Sequence, residues 1–371
     1  MIDEFLRPVK PDLINFASEL DVFSIGRQLE FNSAVDEGSL VMITVHTDDN
    51  ENDFDQLRRE FYRLKSGNWH LKIYDLGELP HGATIEDTFF AFLKIQEELL
   101  KKNCKLIILG DNPMLAYWQY RALDSVCHQV NLSCIDNRFR LGDDSNELSA
   151  YNYLSKIITT EPHSLFDYHH FGHQTYFVAQ EELDLMEELN FDVKRLGVLT
   201  ESIEESEPEL RNSDLVVLNL ESIQSSDFQS SPELSPNGFN SREICALSRY
   251  SGINNKTRSF GVYNFKAKNI LTDNLLLSEI LWYFIEGKNN SSVEIDFEDE
   301  NGYESFHVQI PEQELLFYRD IKSDQWWLEL NNPMEAESSG RQIIPCSHKD
   351  YKDSLKGKIP QRWWKAYKKL Y

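Results

Sequence analysis

The sequence predicts a three-layer α/β/α sandwich on a mostly parallel sheet of about eight strands, followed by a C-terminal extension. Three observations lead there. Short apolar, β-branched runs alternate with longer amphipathic stretches, the pattern of repeated βαβ crossovers. Several runs are apolar at consecutive positions, as in Leu106-Ile107-Ile108-Leu109, which suits strands covered by helices on both faces. After Asn290 the alternation stops, and two tryptophan pairs (Trp326-Trp327 and Trp363-Trp364) appear.

Strands are expected at Leu40–His46, His70–Asp75, Lys105–Gly110, Asn131–Asp136, Thr175–Ala179, Lys194–Thr200, Asp214–Leu220 and Ser259–Phe265. Helices are expected at Asp53–Leu64, Ile85–Lys101, Met114–His128, Glu147–Ile158, Glu181–Glu188, Ser241–Tyr250 and Asp273–Glu286. The clearest helix has Thr84 as its cap, Glu86 and Asp87 in the first turn and Lys101 and Lys102 at the end, all matched to the helix dipole. Ser222 to Asn240, rich in serine and holding two prolines, reads as a long loop after a core strand. Glu201 to Asp214 reads as a solvated acidic connection. Residues 1–34 form an N-terminal segment, 35–290 the main domain and 291–371 a Trp-rich extension that begins as a meander of short strands.

With 37 basic against 62 acidic residues, the net charge of −25 disfavours nucleic acid and anionic membrane as partners. The acidic start Met1-Ile2-Asp3-Glu4-Phe5 suggests no secretory signal, and no apolar run is long enough to span a membrane. Cys104, Cys127, Cys134, Cys245 and Cys346 are few and widely spaced, as expected of free thiols in a cytoplasmic protein.

Three strand ends resemble those of the ureohydrolases, the superfamily of arginase, agmatinase and formimidoylglutamase. Leu109-Gly110-Asp111-Asn112-Pro113 resembles the strand that ends in Gly-Gly-(Asp/Gly)-His-Ser. Cys134-Ile135-Asp136-Asn137-Arg138-Phe139-Arg140 resembles the Asp-Ala-His-Phe-Asp strand. Leu218-Asn219-Leu220-Glu221 resembles the strand bearing Asp-x-Asp. Pro236-Asn237-Gly238-Phe239 stands where the family has a Gly-rich turn before a helix. Leu281-Trp282-Tyr283-Phe284-Ile285-Glu286-Gly287 and the Trp-rich tail resemble the formimidoylglutamase-like branch. The resemblance spans roughly residues 35–371 and implies an arginase-like fold.

It also implies a dinuclear manganese site at the strand ends, where the metals make a bridging water nucleophilic. The residues here depart from that set. The first histidine position falls on Pro113, or on Asn112 if the register slips. Asp136 keeps its carboxylate, but the next two ligand positions are Arg138 and Arg140, which stay protonated. In the third motif the aspartates are replaced by Asn219 and Glu221. The expectation is a lost metal site in which Arg138 or Arg140 pairs with Asp136 or Glu221.

Other chemistries find less support. His169, His170 and His173 offer an alternative metal site if a helix puts their rings on one face, but Gly172 and the neighbouring aromatics favour a polar loop. There is no Gly-x-Ser-x-Gly and no Gly-rich phosphate loop. Cys134 lies in an apolar strand, the setting of a structural thiol. The basic aromatic tail, Lys356 to Tyr371, is expected to pack onto the domain with its lysines on acidic surface.

The expected function is therefore that of a pseudoenzyme of this superfamily: no catalytic residues, no cofactor, and action by binding as a scaffold or complex subunit. Self-association or a protein partner is expected, since the family commonly forms homo-oligomers. Two alternatives stay open. One is a manganese-dependent hydrolase of a linear amidine C–N bond. The other is a binder of a small anionic ligand in the former active-site pocket.

Overall fold

Successive residues of each central strand face opposite sides of one sheet, and both sides are buried. In the computed structural model, which describes residues 2–32, 34–48, 54–142, 147–266, 270–291, 297, 301–311, 313–330 and 342–370, this sheet has nine strands. They are β1 (Leu29–Glu30), β2 (Leu40–Val45), β3 (Ile73–Leu79), β4 (Lys105–Gly110), β5 (Val130–Ile135), β6 (Leu165–His173), β7 (Asp192–Arg195), β8 (Leu215–Asn219) and β9 (Ser259–Tyr263). Their order is β1-β3-β2-β4-β9-β8-β5-β6-β7, and every neighbouring pair is parallel.

Leu40, Met42, Ile107, Leu109, Val216 and Leu218 pack on one side, under helices Pro11–Glu19, Asp55–Arg63, Ser241–Gly252 and Leu271–Asn289. Their chain neighbours Val41, Ile43, Leu106, Ile108, Leu215 and Val217 pack on the other, under Ile85–Lys101, Leu115–Asp124, Tyr153–Thr159 and Gln180–Glu188. This is the expected three-layer sandwich, and each fully buried Leu, Ile or Val adds about 1.5–3 kcal/mol to it. The Thr84 cap is present: its hydroxyl accepts from Asp87 N at 3.2 Å, and Asp87 Oδ2 accepts from Thr84 N at 3.1 Å.

Two expected strands are corrected. Residues 175–179 form a turn, and the strand lies earlier, at β6. Its run of Asp167, His169, His170 and His173 hid it, because strand signals are apolar or β-branched. The other, Lys194–Thr200, is strand only to Arg195 and then turns into the short helix Leu196–Leu199. The start of the expected helix Asp53–Leu64 and parts of the 291–318 meander lie outside the described residues.

The extension forms a second, antiparallel sheet of β10 (Tyr303–Gln309), β11 (Glu314–Asp320), β12 (Trp326–Glu329) and β13 (Ile343–Cys346). Helices His348–Ser354 and Gln361–Leu370 follow. It has its own core, including Val308, Phe317, Leu328, Trp326 and Trp363. The last helix lies against the β6–β7 edge of the main sheet. Lys365 Nζ pairs with Asp192 and donates to Phe191 O at 3.0 Å, Lys369 pairs with Asp167, and Arg362 Nη1 sits 3.1 Å from Glu209 Oε1. The tail lysines thus meet acidic surface as expected. All five cysteines are free, and among the described residues no helix is long and apolar enough to cross a membrane.

Candidate functional site

In parallel sheets, functional side chains gather at the carboxyl ends of the strands. Here β5 and β8 are neighbours, so Asp136, just past β5, meets Asn219 and Glu221 at the end of β8. All three are buried.

Arg140 fills the space between them. Its Nε donates to Asp136 Oδ2 at 2.8 Å, and its Nη2 to Asp136 Oδ1 at 3.0 Å and Glu221 Oε2 at 2.5 Å. Its side chain is 1% exposed. Burial works against the charge on this guanidinium, but the carboxylates outweigh it and the pKa moves up. Burial raises the Glu221 pKa, and Arg140 opposes that shift. Arg140 sits at φ 58°, the left-handed region that side-chain-bearing residues seldom enter.

Amides complete the cluster. Asn219 Nδ2 donates to Asp136 Oδ2 at 2.8 Å, and Asn219 Oδ1 accepts from Asn264 Nδ2 at 2.9 Å and Glu221 N at 3.1 Å. Asn137 N donates to Asp136 Oδ1 at 2.6 Å, while its Nδ2 donates to Glu221 O at 3.0 Å. Asp136 O lies 3.0 Å from His170 Nε2. A carbonyl only accepts, so His170 carries its proton on Nε2 and takes the Tyr168 hydroxyl on Nδ1, at 2.8 Å. Burial pushes the His170 pKa down to about 3, which keeps it neutral.

The other arginine does a different job. Arg138 points outward, with Nη2 2.7 Å from Glu233 Oε2 and its guanidinium 4.7 Å from the Phe177 ring centre. Glu233 sits on the expected loop after β8, which also accepts from the Tyr151 hydroxyl at 3.0 Å. Gly238 closes that loop. A Cβ there would lie 2.5 Å from Gln224 N, so only glycine fits. Tyr151, Tyr176, Phe177 and Leu234 are exposed on or beside this loop.

Asn112 and Pro113 end β4 in a local turn, with Asn112 Oδ1 accepting from Met114 N at 3.0 Å. Among the described residues neither shares a hydrogen bond with Asp136 or Glu221. The three histidines do not converge. On strand β6, His170 and His173 share a side, with ring centres 6.0 Å apart. His169 is on the other side, near Asp167 (3.4 Å) and Asp192 (3.6 Å). The segment is thus a strand, neither the expected loop nor the helix a shared face requires. Burial pushes the Cys134 thiol up to about 12, in keeping with a structural thiol.

A second polar cluster, missed in the sequence, lies along β3 and at the end of β2. Buried Arg58 sits 2.9 Å from Asp75 Oδ2 and 2.7 Å from Glu78 Oε1. His46 Nε2 is 3.4 Å from Glu78 Oε2. Burial pushes Glu78 up, but His46 and Arg58 prevail and hold it at about 2. The signal available was Arg58 on the apolar stripe of its helix, a position that asks for a buried anion.

A divalent metal needs carboxylate lone pairs and no cation beside it. Here both Asp136 oxygens and Glu221 Oε2 already accept hydrogen bonds from Arg140. As arranged, these residues do not fit a dinuclear centre. Among the described residues no group of three or more His, Cys, Asp or Glu is placed to hold a metal ion.

No protein-family model matches the sequence, and no curated protein does. Solved structures do match the fold. The formimidoylglutamase of Bacillus subtilis superposes with a TM-score of 0.65 at 12% identity, over 74% of this chain and 94% of that one. A formiminoglutamase of Trypanosoma cruzi, solved with Mn2+, gives 0.61 at 14% identity, over 70% and 97%. The agmatine ureohydrolase of Thermoplasma volcanium gives 0.58 at 15% identity, over 74% and 97%. The chain has the arginase-like fold.

Proposed function

From an arginase-like fold whose strand-end carboxylates are held by an arginine, we propose that this protein works by binding, as a scaffold or complex subunit, without the dinuclear metal centre. The observation that carries this reading is the Arg140 guanidinium between Asp136 and Glu221. It supplies fixed positive charge where a hydrolase of this fold would place metal, and it cannot activate water. The exposed aromatic rim of Tyr151, Tyr176 and Phe177 supports a binding role, since such residues dominate protein interfaces. Self-association through that rim is part of the same reading.

Small-anion binding in the old pocket draws less support, because Arg138 and Arg140 both already hold carboxylates. Hydrolysis with an altered metal site rests on fold alone.

Elemental analysis after purification in manganese tests the proposal. The expected result is sub-stoichiometric metal and no turnover of arginine, agmatine or formimidoylglutamate. Two tightly bound ions per chain would overturn it. Restoring ligands with Arg138→His, Arg140→Asp and Asn219→Asp together is expected to bring measurable manganese binding back.

A further inference from the structure

A cavity of about 300 Å³ lies at the opposite end of the main sheet, where the α/β/α domain meets the C-terminal sheet. Arg211 stands just before β8 and Lys256 just before β9, while Gln325, Trp327 and Pro345 come from the C-terminal sheet. One strand length, roughly 15–20 Å, separates this cavity from Arg140. It therefore stands apart from the strand-end cluster and does not depend on how that cluster is read.

Arg211 is the centre of the wall. Its side chain is 3% exposed, with Nε 2.7 Å from Glu207 Oε1. Its Nη2 donates to Trp326 O at 2.9 Å, and its guanidinium lies 4.2 Å from the Trp327 ring centre. These contacts leave donors over. Arg211 Nη1 and Trp327 Nε1 are both buried with no hydrogen-bond partner among the described residues. Buried polar groups in folded proteins are nearly always satisfied, so two neighbouring orphans of the same kind call for a reason. Both are donors, so what they lack is an acceptor.

Lys256 adds a second cation to the lining and donates to Asn212 Oδ1 at 2.9 Å. Trp327 and Pro345 supply flat apolar wall. The cavity volume matches the small end of ordinary ligand pockets. A guanidinium suits a carboxylate, and an indole face suits a ring. We propose that this cavity is a binding site for a small planar carboxylate, its oxygens taken by Arg211 and Trp327 and its ring packed on the aromatic wall.

Calorimetric titration of the full-length protein with benzoate tests the assignment. Saturable one-to-one binding is expected. The neutral isostere benzamide should bind at least about tenfold more weakly, since it loses the charge-assisted bonds. Arg211→Ala, Lys256→Ala and Trp327→Leu should each weaken benzoate binding. Where Arg211→Ala fails to fold, as judged by circular dichroism, the other two variants carry the comparison. No saturable heat with the folded wild type overturns the proposal. So does binding unchanged in both Lys256→Ala and Trp327→Leu, or binding abolished by Arg138→Ala instead, which would move it to the strand-end cluster.

Discussion

Arg140 grips Asp136 with two nitrogens, Nε at 2.8 Å from Oδ2 and Nη2 at 3.0 Å from Oδ1, and the same Nη2 reaches Glu221. One guanidinium thus ties the end of β5 to the end of β8.

Breaking this clamp from the cationic side leaves two buried anions unpaired. Arg140→Met is expected to cost about 3–5 kcal/mol, read as a lower urea midpoint. Adding Asp136→Asn should recover part of that loss, because it removes one of the stranded charges. An Arg140→Met variant as stable as wild type would show that the clamp contributes nothing.

Arg138 predicts the contrast. Its partner Glu233 is 43% exposed, so water screens the pair. Arg138→Ala should change stability by less than about 1 kcal/mol. A loss as large as that of Arg140→Met would reverse the roles given to the two arginines.

Acid should destabilise the fold in two stages. His170 is held at about 3, below its ordinary value, so the folded state resists its protonation. Stability from keeping it neutral is complete above about pH 6.5 and is lost as pH falls toward 3. Glu78 and Glu209 are both held at about 2. For Glu209 burial works the other way, but Arg362 and Lys194 outweigh it. Their contribution is complete above about pH 4.3 and is lost as pH falls through 2. Glu221, raised by burial, runs in the opposite sense and offsets a part. Urea midpoints measured from pH 7 to pH 3 should fall throughout, and His170→Phe should flatten the portion above pH 5. A flat profile down to pH 4 in the wild type would contradict this.

The C-terminal helix is held by charge as well as by Trp363 in the core of the extension. Arg362 reaches Glu209 and, at 2.8 Å, Asp350, and Lys365 and Lys369 cap the β6–β7 edge. Arg362→Ala should make the last helix an early site of proteolysis, ahead of global unfolding. High salt should accelerate wild-type cleavage there, since the outer pairs are partly exposed. Equal cleavage rates in variant and wild type would indicate that apolar contacts such as Trp363 suffice.

The layered fold was legible because burial on both faces writes itself into consecutive apolar positions, and β4 falls on the expected residues. Strand β6 was not, because its inward positions are filled by His170 and Tyr168, which satisfy each other and need no apolar code. Asp136 and Glu221 could be read as site residues from the motifs alone. Which arginine joins them could not. After β5 the chain leaves regular structure, and the left-handed turn at Arg140 decides the direction of its side chain. Asn264 went unnoticed for another reason. Its part in the cluster follows from β9 lying beside β8, a neighbour relation that single-strand patterns do not contain.

The Arg140 clamp also limits which single substitutions the cluster tolerates. Asp136 and Glu221 share one buried cation, so removing Arg140 strands two buried anions, whereas removing either carboxylate leaves a matched pair. A change at Arg140 therefore needs a compensating change at the carboxylates to keep the core folded. The arginine works as a latch on the sequence: once seated, it is the member of the cluster least free to vary alone.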